Sequence, residues 1–306
     1  MIINHNMSAL NAQRNLKVAN GAEPPAITNF QTEALLHIER SDPGLPVSRV
    51  QRTTDGQTEF SLSLGDGLSS IVRMLTFLEG VPLHKVPASR QQRRNLGTCL
   101  ARLGLVLRDF DHPAADHDLL WDIKNAPRLC PLLPSIADEA LREAAERHLQ
   151  FFERMIAPAL PGLRKQVIHN DLNPHNVLVA EDDPECVTGI LDFGDMVRTP
   201  LVMDIAVASS YHIAGEGHPL EHVVDLVSAY QAVYPLLADE VDLLFDLIIT
   251  RLVTTIAITN WRATRYPENS TYILRNNPPA RAGLARLSTL SRDDARHYLR
   301  RACGLE

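Results

Sequence analysis

Residues 167–179 read Val-Ile-His-Asn-Asp-Leu-Asn-Pro-His-Asn-Val-Leu-Val, and residues 190–195 read Ile-Leu-Asp-Phe-Gly-Asp. Asp171 lies two residues past His169, Asn176 five past Asp171, and Asp192-Phe193-Gly194 begins sixteen past Asn176. These residue types suit phosphoryl transfer. That reaction needs an acceptor hydroxyl held in line and the phosphate charge neutralised, with little covalent work from the protein. Asp171 can accept the proton of an attacking hydroxyl and orient it. The Asn176 amide oxygen and the Asp192 carboxylate are hard donors of the kind Mg²⁺ takes. A turn-rich segment between strands would have to produce the triplet, both spacings and the flanking apolar runs together.

Short apolar runs must hold these oxygens. Val167-Ile168, Val177–Val179 and Gly189–Phe193 are separated by polar loops, so Asp171 and Asn176 share one loop and Asp192 arrives from an adjacent strand. The rest of the chain after residue 80 has helical periodicity. Leu96, Leu100, Leu103, Leu107 and Phe110 share a face, as do Leu141, Ala145, Leu149, Phe152 and Ile156 in a helix predicted over Asp138–Ile156. After Asp204 the chain returns to helices. The first eighty residues differ. Leu16–Ala19 is a short strand candidate carrying Lys17, Gly21–Pro25 a turn, and Thr28–Ile38 a helix capped by Thr28 or Asn29. Asp55-Gly56 and Asp66-Gly67 are turn signals. Phe60, Leu62 and Leu64 alternate as in a half-buried strand, and Ile71–Leu78 reads as the next strand, ended by Glu79-Gly80.

Composition narrows the class. The chain has 306 residues, 45% hydrophobic and 22% charged, enough for a full core and unlike a disordered or collagen-like chain. A net charge of −7 excludes a broad nucleic-acid-binding face but leaves room for a local phosphate site. The most apolar stretch, Val241–Ile258, is cut by Asp242, Asp246 and Arg251, which predicts a buried or amphipathic helix rather than a membrane span. Cys99, Cys130, Cys186 and Cys303 form no CxxC pair and suggest neither zinc nor a disulfide framework. With no secretory leader evident, a cytoplasmic location is expected.

The HxDxxxxN…DFG pattern is the catalytic-loop and metal-loop arrangement of kinases. His-Asn-Asp-Leu-Asn-Pro-His-Asn-Val-Leu-Val, followed by Gly-Ile-Leu-Asp-Phe-Gly-Asp-Met-Val, resembles the aminoglycoside phosphotransferase and choline kinase superfamily. Asn170 stands where protein kinases usually carry Arg. The run from Asp192 to Ala206 and the Trp121-Asp122 pair are closer still to the hydroxylysine kinase branch. The resemblance implies an α+β, two-lobed protein-kinase-like fold. It implies ATP or GTP as donor, Mg²⁺, and a small hydroxylated amine or amino acid as acceptor, 5-hydroxylysine foremost. Aminoglycoside, choline or homoserine kinases are the alternatives, and a fold that only binds ligand is another.

The resemblance also assigns roles. Lys17 matches the strand lysine that holds donor phosphates and Glu33 the helix glutamate that pairs with it. Thr76, Phe77 and Leu78 lie in the connector, Met74–Glu79, whose backbone meets the nucleotide base. Asp204 matches an aspartate that braces the catalytic loop, and His169 packs beneath that loop. Asp195 is open between contact with metal, contact with a substrate ammonium, and a turn role. His175 reads as a solvated loop residue. Trp121, Trp261, Arg262 and Tyr266 are candidates for the acceptor pocket, with core packing as the default.

Sixteen residues precede Lys17 and none is glycine, so the family's glycine-rich loop is expected to be missing. The opening Met-Ile-Ile-Asn-His-Asn-Met-Ser-Ala-Leu-Asn-Ala-Gln-Arg-Asn resembles a flagellin N-terminus, and a foreign or misplaced segment is expected there. The predicted organisation is thus 1–15 foreign, 16–80 a truncated β-rich N-lobe, and 81–306 a helical catalytic C-lobe.

Overall fold

Four short strands in two antiparallel pairings carry the catalytic sequence. Strands β6 (Lys165–Ile168) and β9 (Val197–Pro200) pair antiparallel, with Ile168 opposite Val197. Strands β7 (Val177–Val179) and β8 (Val187–Ile190) pair with Val177 opposite Ile190, and β5 (Val81–Pro82) adds to the free edge of β7. The 169–176 loop joins β6 to β7, and the 191–196 segment joins β8 to β9. Because β6 pairs with β9 and β7 with β8, both loops emerge side by side. Ile168, Val177, Val179 and Ile190 are fully buried, so the loops stand on a rigid base. This computed structural model describes residues 24–65 and 68–306. The predicted 1–15 segment, the Leu16–Ala19 strand with Lys17, and the Asp66-Gly67 turn lie outside the described residues.

Helix α1 (Pro25–Ser41) starts three residues before the predicted Thr28. Proline at the first helical position has its φ preset and no N–H to satisfy, so Pro25 opens the helix without Thr28 or Asn29 as a cap. Phe30, Ala34, Leu35 and Ile38 are buried as predicted.

The strand expected over Ile71–Leu78 is divided. Strands β2 (Phe60–Gly65) and β3 (Leu68–Val72) form one hairpin, while β4 (Met74–Leu75) pairs with β1 (Val50–Gln51). The break falls at Arg73, whose guanidinium leaves the ladder to donate to Thr28 O at 3.0 Å and to Gln31 Oε1 on α1. Beyond Leu75 only Thr76 continues the pairing, its N–H donating to Arg49 O at 2.8 Å. Phe60 and Leu62 share a face, yet each is 46% exposed, so their alternation marks a strand but not a buried side.

The remainder is helical. Helix α2 (Arg90–Leu107) is capped by Ser89, which accepts from Gln92 N, and buries Leu96, Leu100, Leu103 and Leu107. It packs on α5 (Glu221–Val233). Gly97 permits that approach, because a Cβ there would strike the Leu226 carbonyl. Arg93 crosses the same interface to Asp225 Oδ2, 2.9 Å from Nη2. Helix α3 (Glu139–Phe151), capped by Asp138, runs on as a π-type segment to Ile156, matching the predicted span. Helix α4 (Val202–Ser209) follows β9.

The core is organised around α6 (Ala238–Arg265), which packs on α4, α8 (Asn277–Leu287) and α9 (Arg292–Ala302); short α7 (Ser270–Ile273) precedes α8. The charges that interrupt its apolar sequence all have partners: Asp242 with Arg300, Asp246 with Arg292, and Arg251 with Asp171. Burying α6 therefore leaves none of these three charges uncompensated. No helix among the described residues is long and apolar enough to cross a membrane.

Candidate active site

The loop after β6 is held from beneath. His169 is fully buried, its Nε2 lying 2.9 Å from Leu191 O and its ring edge-on to Phe193. Its Nδ1 accepts from Asp171 N at 3.3 Å, so the Nε2–H tautomer satisfies both contacts. Asn170 takes the left-handed conformation, φ 64°, which Asn tolerates better than most residues. Its N–H donates to Asp204 Oδ1 at 2.8 Å, and its amide to Asp195 O at 3.2 Å. Burial pushes the Asp204 carboxyl above the usual carboxylate range, against the pull of His169 and the loop N–H groups. The predicted bracing contact from Asp204 is therefore present.

This backbone presents Asp171. Its Oδ2 accepts from Asn173 Nδ2 and from Asn176 Nδ2, both at 2.9 Å. Its Oδ1 accepts from Arg251 Nη2 at 2.7 Å. The Asn176 amide nitrogen is thereby committed to Asp171, which leaves its oxygen as the atom suited to a cation. Asp192 is also left-handed, φ 59°, and its Oδ1 accepts from Gly194 N at 3.2 Å. A Cβ at Gly194 would sit 2.9 Å from that same oxygen, so any larger residue there would have to displace the Asp192 carboxylate.

Asp171, Asn176, Asp192 and Asp195 all line one cavity of about 80 Å³, as do Asn173, Trp121, Tyr211, Arg262 and Arg275. Six of the predicted residues, Trp121 and Arg262 among them, thus converge on one space. Mg²⁺ typically takes one or two protein oxygens and completes its shell with phosphate and water. An Asn176 oxygen and an Asp192 carboxylate lining one cavity fit that donor set.

Other predictions fall differently. Glu33 is half-buried on α1 but does not line the cavity, and its expected partner Lys17 is outside the described residues. Thr76, Phe77 and Leu78 are also away from it. The Thr76 N–H is used by Arg49 O, and Phe77 is 58% exposed. Trp121 and Arg262 line the cavity; Trp261 and Tyr266 do not, the latter being on the surface. His175 is not the solvated residue its loop position suggests. It is half-buried, its ring centroid 4.0 Å from that of His84, and burial, with His84 and Arg275 close by, pushes it down to about 4.

Arg251 was legible only as a charge interrupting an apolar helix. In the fold it is 2% exposed, bonded to Asp171, 3.2 Å from Tyr211 Oη, and placed over the Trp121 ring with Cζ 5.0 Å from the centroid. A cation in the middle of an otherwise apolar run was the available signal, since such a residue needs a buried anion.

The family model described as "Phosphotransferase enzyme family" matches residues 10–238. Hydroxylysine kinase of Mus musculus is 29% identical over 274 residues, spanning 85% of this chain and 72% of the relative. Hydroxylysine kinase of Danio rerio is 27% identical over 291 residues, spanning 91% and 81%. Among solved structures, a microcompartment-associated aminopropanol kinase superposes with a TM-score of 0.60 at 19% identity, covering 93% of this chain and 85% of its own. Amicoumacin kinase in complex with AMP-PNP, Ca²⁺ and Ami superposes at 0.61 with 12% identity, covering 90% and 79%. The structural matches establish a shared kinase-like fold. With three quarters of its length matched by the family model, the chain belongs to the phosphotransferase enzyme family.

Proposed function

We propose that this phosphotransferase moves the γ-phosphate of ATP or GTP to the hydroxyl of a small amine or amino acid, with 5-hydroxylysine as the acceptor. The observation that carries the reading is the convergence of Asp171, Asn176 and Asp192 on one cavity, on a chain whose relatives are hydroxylysine kinases. Residues 16–80 serve as the N-lobe and 81–306 as the catalytic lobe. Cysteines that are all free suit a reducing compartment such as the cytoplasm.

Asp171 receives the acceptor hydroxyl. Its carboxylate is fixed by Asn173, Asn176 and Arg251, so the hydroxyl hydrogen-bonded to it is aimed rather than merely bound. As the oxygen attacks the γ-phosphorus, a P–O bond to the acceptor forms and the bond to the β-phosphate oxygen breaks. The hydroxyl proton passes to Asp171, and the nucleoside diphosphate leaves. Asn176 and Asp192 would hold Mg²⁺, which neutralises phosphate charge when bound. Lys17 paired with Glu33 would clamp donor phosphates, and the backbone at Phe77 and Leu78 would meet the base. Asp195 stands close enough to the catalytic loop to receive an acceptor ammonium. His169 and Asp204 position the loop.

The test is nucleoside diphosphate release from Mg-ATP and Mg-GTP over 5-hydroxylysine, ethanolamine, choline, homoserine and an aminoglycoside. Release that depends on 5-hydroxylysine and is lost in Asp171→Ala is the expected result. Release with a different acceptor replaces the substrate assignment. A folded protein that binds nucleotide but turns over none of them is the binding-only alternative.

A further inference from the structure

Beside the reaction cavity lies a second one of about 400 Å³, and Tyr211, Thr255, Arg275 and Asn276 line both. Their charged linings differ. The carboxylates of the site, Asp171, Asp192 and Asp195, all face the first cavity, together with Arg251, Arg262 and Arg275. Among the described residues none that lines the second is acidic, and its charged groups are Arg275 and Arg286, beside His84 and His175. Both histidines are held below their ordinary range, chiefly by burial, so the positive charge there comes from the arginines. Between the polar groups the wall is Ile213, Ala214, Leu252, Pro279 and Ala280, a surface suited to methylene groups.

The two arginines have different duties. Arg286 donates from Nε to Ala214 O at 3.1 Å and from Nη2 to Gly217 O at 2.6 Å, so it builds the wall. Arg275 stands at the border of the two cavities, its Cζ 3.9 Å from the Tyr272 ring centroid and its Nη1 donating to Tyr272 O. Stacking on an aromatic face holds a guanidinium in a fixed plane, which suits it to bind a carboxylate.

We propose that the two cavities form one acceptor site with a charge polarity, in which the hydroxyl and side-chain amine of the acceptor face Asp171 and Asp195 while its carboxylate is bound at Arg275. The chain between them crosses the gap beside Tyr211 and Thr255. This inference rests on the amino-acid acceptor proposed above and adds its orientation and the residue that selects it. An amino alcohol without an acid group would satisfy only the acidic end, so Arg275 separates amino acids from amines.

The experiment compares 5-hydroxylysine with its decarboxylated counterpart, 1,5-diaminopentan-2-ol, in the natural chain, Arg275→Gln and Arg275→Lys. The natural chain should favour 5-hydroxylysine in kcat/KM by about 10- to 100-fold, the effect of one charge-assisted contact. Arg275→Gln should lose about that factor toward 5-hydroxylysine and little toward the diamine, Arg275→Lys should recover part of it, and the donor KM should stay unchanged. Titration calorimetry with both acceptors reads the same comparison without turnover. An equal loss toward both acceptors, or no preference in the natural chain, overturns the inference while the substrate reading stands. If 5-hydroxylysine is neither bound nor phosphorylated, the substrate reading falls and the inference falls with it. An unchanged thermal midpoint confirms that Arg275→Gln is folded.

Discussion

Arg251 Nη2 lies 2.7 Å from Asp171 Oδ1, joining the middle of the longest helix to the loop residue at the centre of the candidate site. Arg251 is 2% exposed and the Asp171 side chain 18%, so the pair is largely removed from solvent. It is one corner of a network in which Asn173 and Asn176 hold the other carboxylate oxygen. The carboxylate therefore has a fixed direction before any substrate arrives, which is the condition for orienting an acceptor.

Asp171→Asn keeps the shape of the side chain but removes its proton-accepting oxygen. Phosphorylation of the best acceptor should fall by about 10²- to 10⁴-fold, the usual range for a positioned base. Far-UV circular dichroism should be unchanged. Activity within threefold of the natural chain would show that the hydroxyl is oriented elsewhere.

Arg251→Ala leaves Asp171 without its cation in a mostly buried setting. A destabilisation of about 2–3 kcal/mol is expected, at or below the low end for broken buried pairs because Asp171 keeps some solvent contact. Urea unfolding measures it. In an Asp171→Ala background the same change should cost at least about 1 kcal/mol less, because the partner is already gone. Additive costs would mean that the two residues do not stabilise each other.

One buried and two half-buried histidines give stability a definite pH dependence. His148 is pushed down to about 3, by burial first and then by Arg292, while its Nε2 donates to Thr250 Oγ1 at 2.8 Å. His212 and His175 are each pushed down to about 4, again mainly by burial. Each is neutral in the folded chain and gains a proton on unfolding below about pH 6.5, so the unfolded state binds more protons there. Stability is therefore full above that pH and is lost as pH falls toward 4, by up to about 1.4 kcal/mol per pH unit for each histidine. The raised Asp204 carboxyl opposes this, because it favours the folded state as pH falls. The unfolding midpoint measured from pH 7.5 to 4.5 should decline, and His148→Gln should flatten the decline.

Gly97→Ala tests the close approach of α2 and α5. The added methyl meets the Leu226 carbonyl, a backbone group that cannot rotate away. Helices α2 and α5 would have to separate, and a cost of about 1–3 kcal/mol or more follows. Thermal unfolding reads it. A midpoint within 1 °C of the natural chain, about the precision of such a melt, would show that the interface yields freely.

Local chemistry made much of this legible. Apolar runs of two to five residues bounded by loops mark β6, β7 and β8, although the run predicted over Gly189–Phe193 leaves its strand after Ile190, which puts Asp192 in the following loop. The periodicities at Leu96–Leu107 and Asp138–Ile156 became α2 and α3 with its π-type extension, with Phe110 buried just beyond the end of α2. The strand expected over Ile71–Leu78 failed at Arg73, where a bond to α1 outweighed continued pairing. No local signal marks that preference, because the acceptor lies 45 residues away. His175 failed for the same reason: its partner His84 comes from another part of the chain.

The residue types at Asp171, Asn176 and Asp192 and their spacing are properties of the sequence alone, because loop chemistry and short strand registers depend on neighbours. Their pattern points to phosphoryl transfer without any knowledge of the fold. What surrounds those groups is decided by tertiary structure. Arg251, Tyr211 and Arg275 reach the cavities from segments 40 to 104 positions beyond Asp171, and only the packing of α6 and the C-terminal helices brings them there. Burial does the rest. It turns a charge inside an apolar helix into the partner of a carboxylate, and it gathers the site's three aspartates on one cavity while the neighbouring one carries none.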